Sequence, residues 1–340
     1  MGDAIAGVVE RGVAERVFSG AAWSVGDASG PITRGFTGNR RWGGAAVSED
    51  SLWDLASVTK PIVGLVVMAL VERGTLALTD TLGALLPGYA ARPDKTGLTV
   101  AQLLTHTSGL PGATPLWRTH HTREDLLAAI RDTPLPAAPG TRVEYSSQGF
   151  ILLGLVAEAV TAKPLDALVR ELVTDPAGMR ETTFTPDAER AVSTEECAWR
   201  GRLVTGQVHD ENAVVLGAPA GHAGLFAPLA DLERLARALL TGGLLRPETH
   251  ALMTAPHTDG LDLRRGLGWQ GRDEVGSPVG TGPGPRSYGH TGFTGTSLWI
   301  DPDAGATMVL LTNRVHPTRT ATGIEGVRRE FHERAMQRHR

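Results

Sequence analysis

Ser57 and Lys60, three residues apart in Ser57-Val58-Thr59-Lys60, open one of the most apolar stretches of the chain. On a helix that spacing puts both side chains on one face, within reach of each other. A hydroxyl at the positive end of a helix dipole, beside an amine whose proton affinity falls on burial, is a nucleophile with its own base. A capping serine and a solvated lysine would satisfy the same spacing. The apolar run from Pro61 to Val71 argues against that alternative, because it would bury the lysine, and a buried lysine without a partner is costly.

Two further strings carry chemistry. Tyr145-Ser146-Ser147 follows a Pro-Gly turn and precedes a second apolar stretch beginning near Phe150. A loop tyrosine near cations can pass a proton between nucleophile, leaving group and lysine. It could equally fill a core while Ser147 caps the next helix. His290-Thr291-Gly292 stands before the strand expected over Thr296 to Ile300, in a glycine-dense segment that lets a substrate approach the backbone closely. There the amide of Phe293, with that of Ser57, would supply two donors to a developing oxyanion. The alternative is a Gly-rich hairpin carrying a surface histidine.

Taken in order, Ser-x-x-Lys, Tyr-x-Ser and His-Thr-Gly resemble the motifs of serine β-lactamases and penicillin-binding proteins. More widely, the chain resembles the class C β-lactamase-like serine hydrolase superfamily, family VIII esterases included, from about Ala21 to His316. Supporting strings are Leu103 to Leu110, Val208-His209-Asp210-Glu211-Asn212-Ala213, Gly221-His222-Ala223-Gly224-Leu225-Phe226 and Gly289 to Pro302. The resemblance implies an acyl-enzyme at Ser57, with Lys60 and Tyr145 catalytic and with Ser147, His290, Thr291 and Gly292 binding substrate. Ser147 departs from the family's usual Asn or Asp, which puts recognition of a substrate amide in doubt. His290 replaces the lysine of familiar β-lactamases and offers weaker charge to a carboxylate at neutral pH. A site so changed is expected to prefer neutral donors.

The remaining candidates have plainer readings. His106 would fix a turn, Trp117 would be core or pocket wall, and His120-His121 a solvated pair near the site mouth. His209, Asp210 and His222 lack the short two-ligand spacing of zinc hydrolases, so no metal and no cofactor is expected.

These residues must be positioned by a scaffold that the rest of the sequence sketches. Arg16 to Ser24 and Ile32 to Thr37 flank a turn as a hairpin would, and Ser57 to Arg73 reads as a buried helix. Further helical spacing runs through Thr99 to Leu104, Glu124 to Arg131, Phe150 to Val160, Leu165 to Leu172 and Asp231 to Leu240. Strands are expected at Leu267 to Gln270, Thr296 to Ile300 and Thr307 to Thr312, then a last helix over Glu325 to Met336. Strands at both ends and helices between predict an α+β serine β-lactamase-like fold, an antiparallel sheet flanked by helices with a mostly helical subdomain. The expected division is a single domain over 1-340, with 1-75 and 255-340 forming the sheet part and 76-254 the helical part.

Composition bounds the function. With 340 residues and a formal charge of -4, the chain has room for a large core and no global attraction for nucleic acid. No apolar run reaches the ~20 residues needed to span a bilayer. Charged residues interrupt the opening segment and there is one cysteine, Cys197, so a cytoplasmic location without disulfides is expected. The function read from this is a cytoplasmic esterase or acyltransferase. It would act on a small-molecule or natural-product ester or amide, with an amine or alcohol as an acceptor the sequence does not name. Oligomeric state is not legible. An amidase or peptidase on cell-wall fragments and a β-lactamase follow, and a non-catalytic acyl-binding sensor is the alternative of another class.

Overall fold

Strands Gly20–Asp27 and Gly30–Gly38 form the expected hairpin, closed by a turn in which Asp27 Oδ1 accepts the Ser29 N–H at 2.7 Å. The computed structural model describes residues 2–217 and 219–339. From the far end of the chain, Ala306–Thr312 pairs antiparallel with Gly20–Asp27 on one side and Ser297–Asp301 on the other. Tyr288–Thr291 and the short Gln270–Gly271 complete a six-stranded antiparallel sheet. Ala306–Thr312 is buried along its whole length, as a central strand covered on both faces must be.

Side chains alternate across this sheet with the period of a strand. Trp23, Val25, Trp299, Met308 and Leu310 pack with Ile5, Val9 and Phe331 from the terminal helices Gly2–Ala14 and Ile324–His339. Ala22, Leu298, Ile300, Val309 and Leu311 face the opposite way, into the core shared with the central helices. Burying each large aliphatic side chain contributes roughly 1.5–3 kcal/mol, so the residues flanking the site are held from two sides.

The helices Thr59–Glu72 and Ser147–Thr161 pack on each other in the centre, both almost wholly apolar and buried. Nearby, Thr99 starts the helix Val100–Leu104 with a reciprocal cap: Thr99 Oγ1 accepts from Gln102 N and Gln102 Oε1 from Thr99 N.

The structure departs from the sequence reading in several places. His290 and Thr291 close a strand of their own, Tyr288–Thr291, rather than leading into the next one; a turn with Gly295 at φ +110° separates the two. Of the strand expected over Leu267 to Gln270 only Gln270 pairs in the sheet, together with Gly271 beyond it, because Gly268 at φ +86° turns the backbone toward the Leu104 carbonyl. The helix from Leu165 continues as a wider π-type turn over Arg170–Thr174. A helix at Pro247–Thr254 was not anticipated. The two-part division stands as a proposal with one qualification: Leu229–Thr241, from the middle of the chain, lies on strands Gly20–Asp27, Ser297–Asp301 and Ala306–Thr312. Among the described residues no helix is long and apolar enough to cross a membrane.

Candidate active site

Ser57 lies in a short 3-10 turn, Ala56–Val58, that runs directly into the buried helix Thr59–Glu72. Ala56 takes φ +45°, a left-handed conformation that costs a residue with a Cβ about 1 kcal/mol or more. The buried carboxylate of Asp54 holds it there, accepting the Ala56 N–H at 2.8 Å and, through its other oxygen, the His209 N–H at 2.6 Å. Burial raises the Asp54 pKa, against these two donors.

One turn on, the fully buried Lys60 donates from Nζ to Ser57 Oγ at 3.0 Å and to the His222 carbonyl at 3.0 Å. Its ammonium or amine has little freedom to point elsewhere. The Tyr145 ring stands beside it, with Nζ 5.0 Å from the ring centroid. Tyr145 is held by its neighbours on the chain: Glu144 N–H donates to the His106 carbonyl at 2.8 Å and Ser146 N–H to His106 Nδ1 at 3.2 Å. His106 itself sits at φ +59°, packs its ring tilted against Tyr145 with centroids 4.7 Å apart, and has its pKa pushed well down by burial and by the charge of Lys60. The turn-fixing role read for His106 thus has a definite object, the tyrosine loop.

The third string reaches the same point from the sheet. Thr294 Oγ1 donates to the Asp54 carbonyl at 2.7 Å and Thr296 Oγ1 to the Leu55 carbonyl at 2.9 Å. Gly292 passes so close that a Cβ on it would stand 2.5 Å from Leu55 O and 2.0 Å from Thr296 Oγ1. Among the described residues neither the Ser57 nor the Phe293 backbone N–H is given to an acceptor, while the Phe293 carbonyl is taken by Arg314 Nε at 2.6 Å. His290 is buried, donates from Nδ1 to the Thr291 carbonyl at 2.8 Å, and has its pKa pushed down to about 3 by burial and Lys60. It is therefore neutral at physiological pH and offers a carboxylate no charge at all.

Two lobes meet at Ser57 and Phe293. The larger, about 530 Å³, is lined by Tyr145, His290, Thr291 and Gly292, but also by Arg265, Arg314 and Arg328. These arginines come from separate parts of the chain, where reading local motifs could not find them. Arg328, pushed down by burial to about 10, remains a cation at neutral pH. The smaller lobe, about 240 Å³, carries Ser147, Gln148, Trp117, Asp210 and Asn212. Ser147 thus faces a different lobe from His290, Thr291 and Gly292.

His209 and His222, weighed above as metal ligands, bond to different carboxylates: His209 Nε2 to Glu195 at 3.0 Å and His222 Nε2 to Asp210 at 3.0 Å. Candidate ligand atoms of Glu195, Cys197 and Glu211 lie within 4.8 Å of one another, but Arg319 bridges the two carboxylates as a cation already in place. The sequence reading missed Asp54 as a positioning group; its one signal was a lone carboxylate in Trp53-Asp54-Leu55-Ala56, three residues before the serine.

The model of the family described as Beta-lactamase matches residues 5–332. A relative from Escherichia coli strain K12, named "Putative D-alanyl-D-alanine carboxypeptidase", is 33% identical over 78% of this chain and 70% of its own length. Among solved structures, EstCE1, "a hydrolase with promiscuous acyltransferase activity", superposes with TM-score 0.77 at 23% identity, covering 96% of this chain and 98% of that one. A penicillin-binding protein homologue from Caulobacter crescentus gives TM-score 0.79 at 20% identity, over 100% and 97% of the two chains. At these identities the two likenesses speak for the fold.

Proposed function

The chain belongs to the beta-lactamase family of serine hydrolases and acyltransferases, and from that premise we propose that it is an esterase or acyltransferase forming an acyl-enzyme on Ser57. The observation that carries the reading is the contact of a fully buried Lys60 with Ser57 Oγ at 3.0 Å. In this scheme Lys60 acts as the neutral amine and takes the hydroxyl proton as Oγ bonds to the carbonyl carbon. The amides of Ser57 and Phe293 receive the oxyanion, and Tyr145 returns a proton to the leaving oxygen or nitrogen. The acyl group then passes to water or to an amine or alcohol, restoring the serine.

The donor is a small-molecule ester or amide, and a cytoplasmic setting is part of the reading. The single cysteine, buried and free, agrees with a reducing compartment. A second reading is favoured by Arg265, Arg314 and Arg328 in the larger lobe: an amide donor whose leaving group ends in a carboxylate, as a peptidase would use. Turnover of aryl esters by wild type and Ser57→Ala tests the proposal, with the ratio of amide to acid product followed as an amine is added. A ratio rising with amine supports acyl transfer, product that stays wholly acid leaves an esterase, and full turnover by Ser57→Ala would sink the acyl-enzyme.

A further inference from the structure

The smaller lobe contains groups that the acyl-enzyme scheme leaves unused. Asp210 Oδ1 is occupied twice, accepting the Ala213 N–H at 2.9 Å, as the cap of the helix Glu211–Leu216, and bonding His222 Nε2 at 3.0 Å. Its other oxygen receives nothing from the described residues, and 35% of the side chain is open. Burial opposes ionisation here, but His222, the Ala213 amide and Lys60 outweigh it and hold the carboxyl well below its ordinary range. The lobe therefore presents a fixed negative charge on the wall that also bears Ser57.

The other polar groups around Asp210 are spent, with one exception. Glu211 is tied through Arg319 to Glu195. Asn212 accepts from Trp117 N at 2.9 Å and donates to the Thr114 carbonyl at 2.9 Å. Lys60 is turned to Ser57 Oγ and the His222 carbonyl, and Arg319, in the lining of this lobe, is held by Glu195 and Glu211. The exception is Gln148, 3% exposed, which lines the lobe with neither Oε1 nor Nε2 partnered among the described residues. A buried carboxamide left without partners is costly, and such a group at a cleft wall is suited to a polar ligand. It also sits one position after Ser147, where the amide-binding Asn of the resemblance is missing. Trp117 and Phe293 add aromatic surface.

A free carboxylate oxygen with aromatic walls is suited to an ammonium group, and a carboxamide in the same lobe to a neighbouring carbonyl or N–H. The arginines of the larger lobe would repel an ammonium, which leaves one orientation for a substrate across Ser57. We propose that the smaller lobe binds the amino group of an aminoacyl donor, through Asp210 with Gln148 alongside, so that the acyl group delivered to Ser57 carries a free amine. The proposal rests on the acyl-enzyme reading above and names its substrate class.

Phenyl esters of alanine and of isobutyric acid test it, since the second replaces the ammonium with a methyl group of similar size. Corrected for spontaneous hydrolysis, kcat/KM should favour the alanyl ester at least tenfold in the wild type. Asp210→Asn should reduce that preference at least tenfold, and Gln148→Leu should reduce it less. Equal use of both esters by an enzyme that acylates Ser57 with each would overturn the aminoacyl proposal and leave the acyl-enzyme standing. An Asp210→Asn loss in equal proportion on both esters would also overturn it, assigning Asp210 to support of the His222 carbonyl alone. Absence of any acyl-serine with either ester would overturn both readings.

Discussion

Lys60 divides its donors between Ser57 Oγ and the His222 carbonyl, so its removal costs the site both a proton acceptor and a brace. Ser57→Ala should abolish the acyl-enzyme, whereas Lys60→Ala and Tyr145→Phe should each lower kcat roughly a hundredfold or more while leaving some slow acylation. Single-turnover kinetics with an aryl ester would separate these cases. Gly292→Ala is the backbone counterpart: a Cβ there cannot coexist with Leu55 O at 2.5 Å, so the Phe293 amide must shift from the nucleophile turn. Its kcat should fall with little change in KM, because the oxyanion forms only after binding. At this scale the sequence was informative where chemistry is local. Ser57 and Lys60 were legible because spacing on a helix fixes their relation, and His106 because a turn demanded a partner. Arg265, Arg314, Arg328 and Gln148 were not, since their meaning comes from what other segments bring to them. His290 was read as a weak charge and is neutral, an effect of burial that its neighbours in sequence do not reveal.

Three elements converge on the nucleophile, and close backbone approach sets their distances. Gly221 packs on the helix Ser147–Thr161 so tightly that a Cβ would stand 2.0 Å from the Phe150 carbonyl, and a Cβ on Gly154 of that helix would stand 3.2 Å from Gly221 Cα. This close backbone approach joins the segment supplying the His222 carbonyl to the helix that follows Tyr145. Gly221→Ala should therefore cost about 1–3 kcal/mol of stability by overpacking, measured by urea denaturation, and should also slow acylation by displacing the His222 carbonyl from Lys60. An unchanged midpoint with unchanged acylation would show that the two segments are not rigidly coupled. The buried helices on either side were legible from the sequence because their apolar runs leave little else for them to be. Strand Tyr288–Thr291 was not, because four residues containing Gly289 and His290 carry no alternation, and its pairing with Ser297–Asp301 supplies what local propensity lacks. The helix Pro247–Thr254 was missed for the same reason: its apolar residues do not form a continuous stripe.

Across the whole molecule the terminal strands enclose the site from one side and the central helices from the other, and the sheet and the C-terminal helix packed on it each bury a histidine. His290 and His332 have their pKa values pushed down to about 3, chiefly by burial, against about 6.5 in an unfolded chain. As pH falls through about 6.5 the unfolded chain takes up these protons and the folded chain does not until near 3. Their stabilising effect is thus complete above about pH 6.5 and declines below it, by on the order of 2 kcal/mol per histidine at pH 5. The urea midpoint should be lower at pH 5.0 than at pH 7.5, and His332→Gln, which removes the partner of Ser297 Oγ on the sheet's outer face, should flatten that dependence. A midpoint equal at the two pH values would contradict the burial of these rings as neutral groups. The α+β plan itself was legible because strand patterns crowd the two ends of the chain, whereas the crossing of Leu229–Thr241 onto the sheet follows from packing rather than from its amphipathic pattern. Acylation of Ser57 is read without intermediaries by intact-protein mass spectrometry after brief mixing with an activated aryl ester, followed by peptide mapping. A mass increase equal to one acyl group is expected, located on the Ser57 peptide and absent from Ser57→Ala. An acyl group found elsewhere, or rapid turnover with no dependence on Ser57, would contradict it.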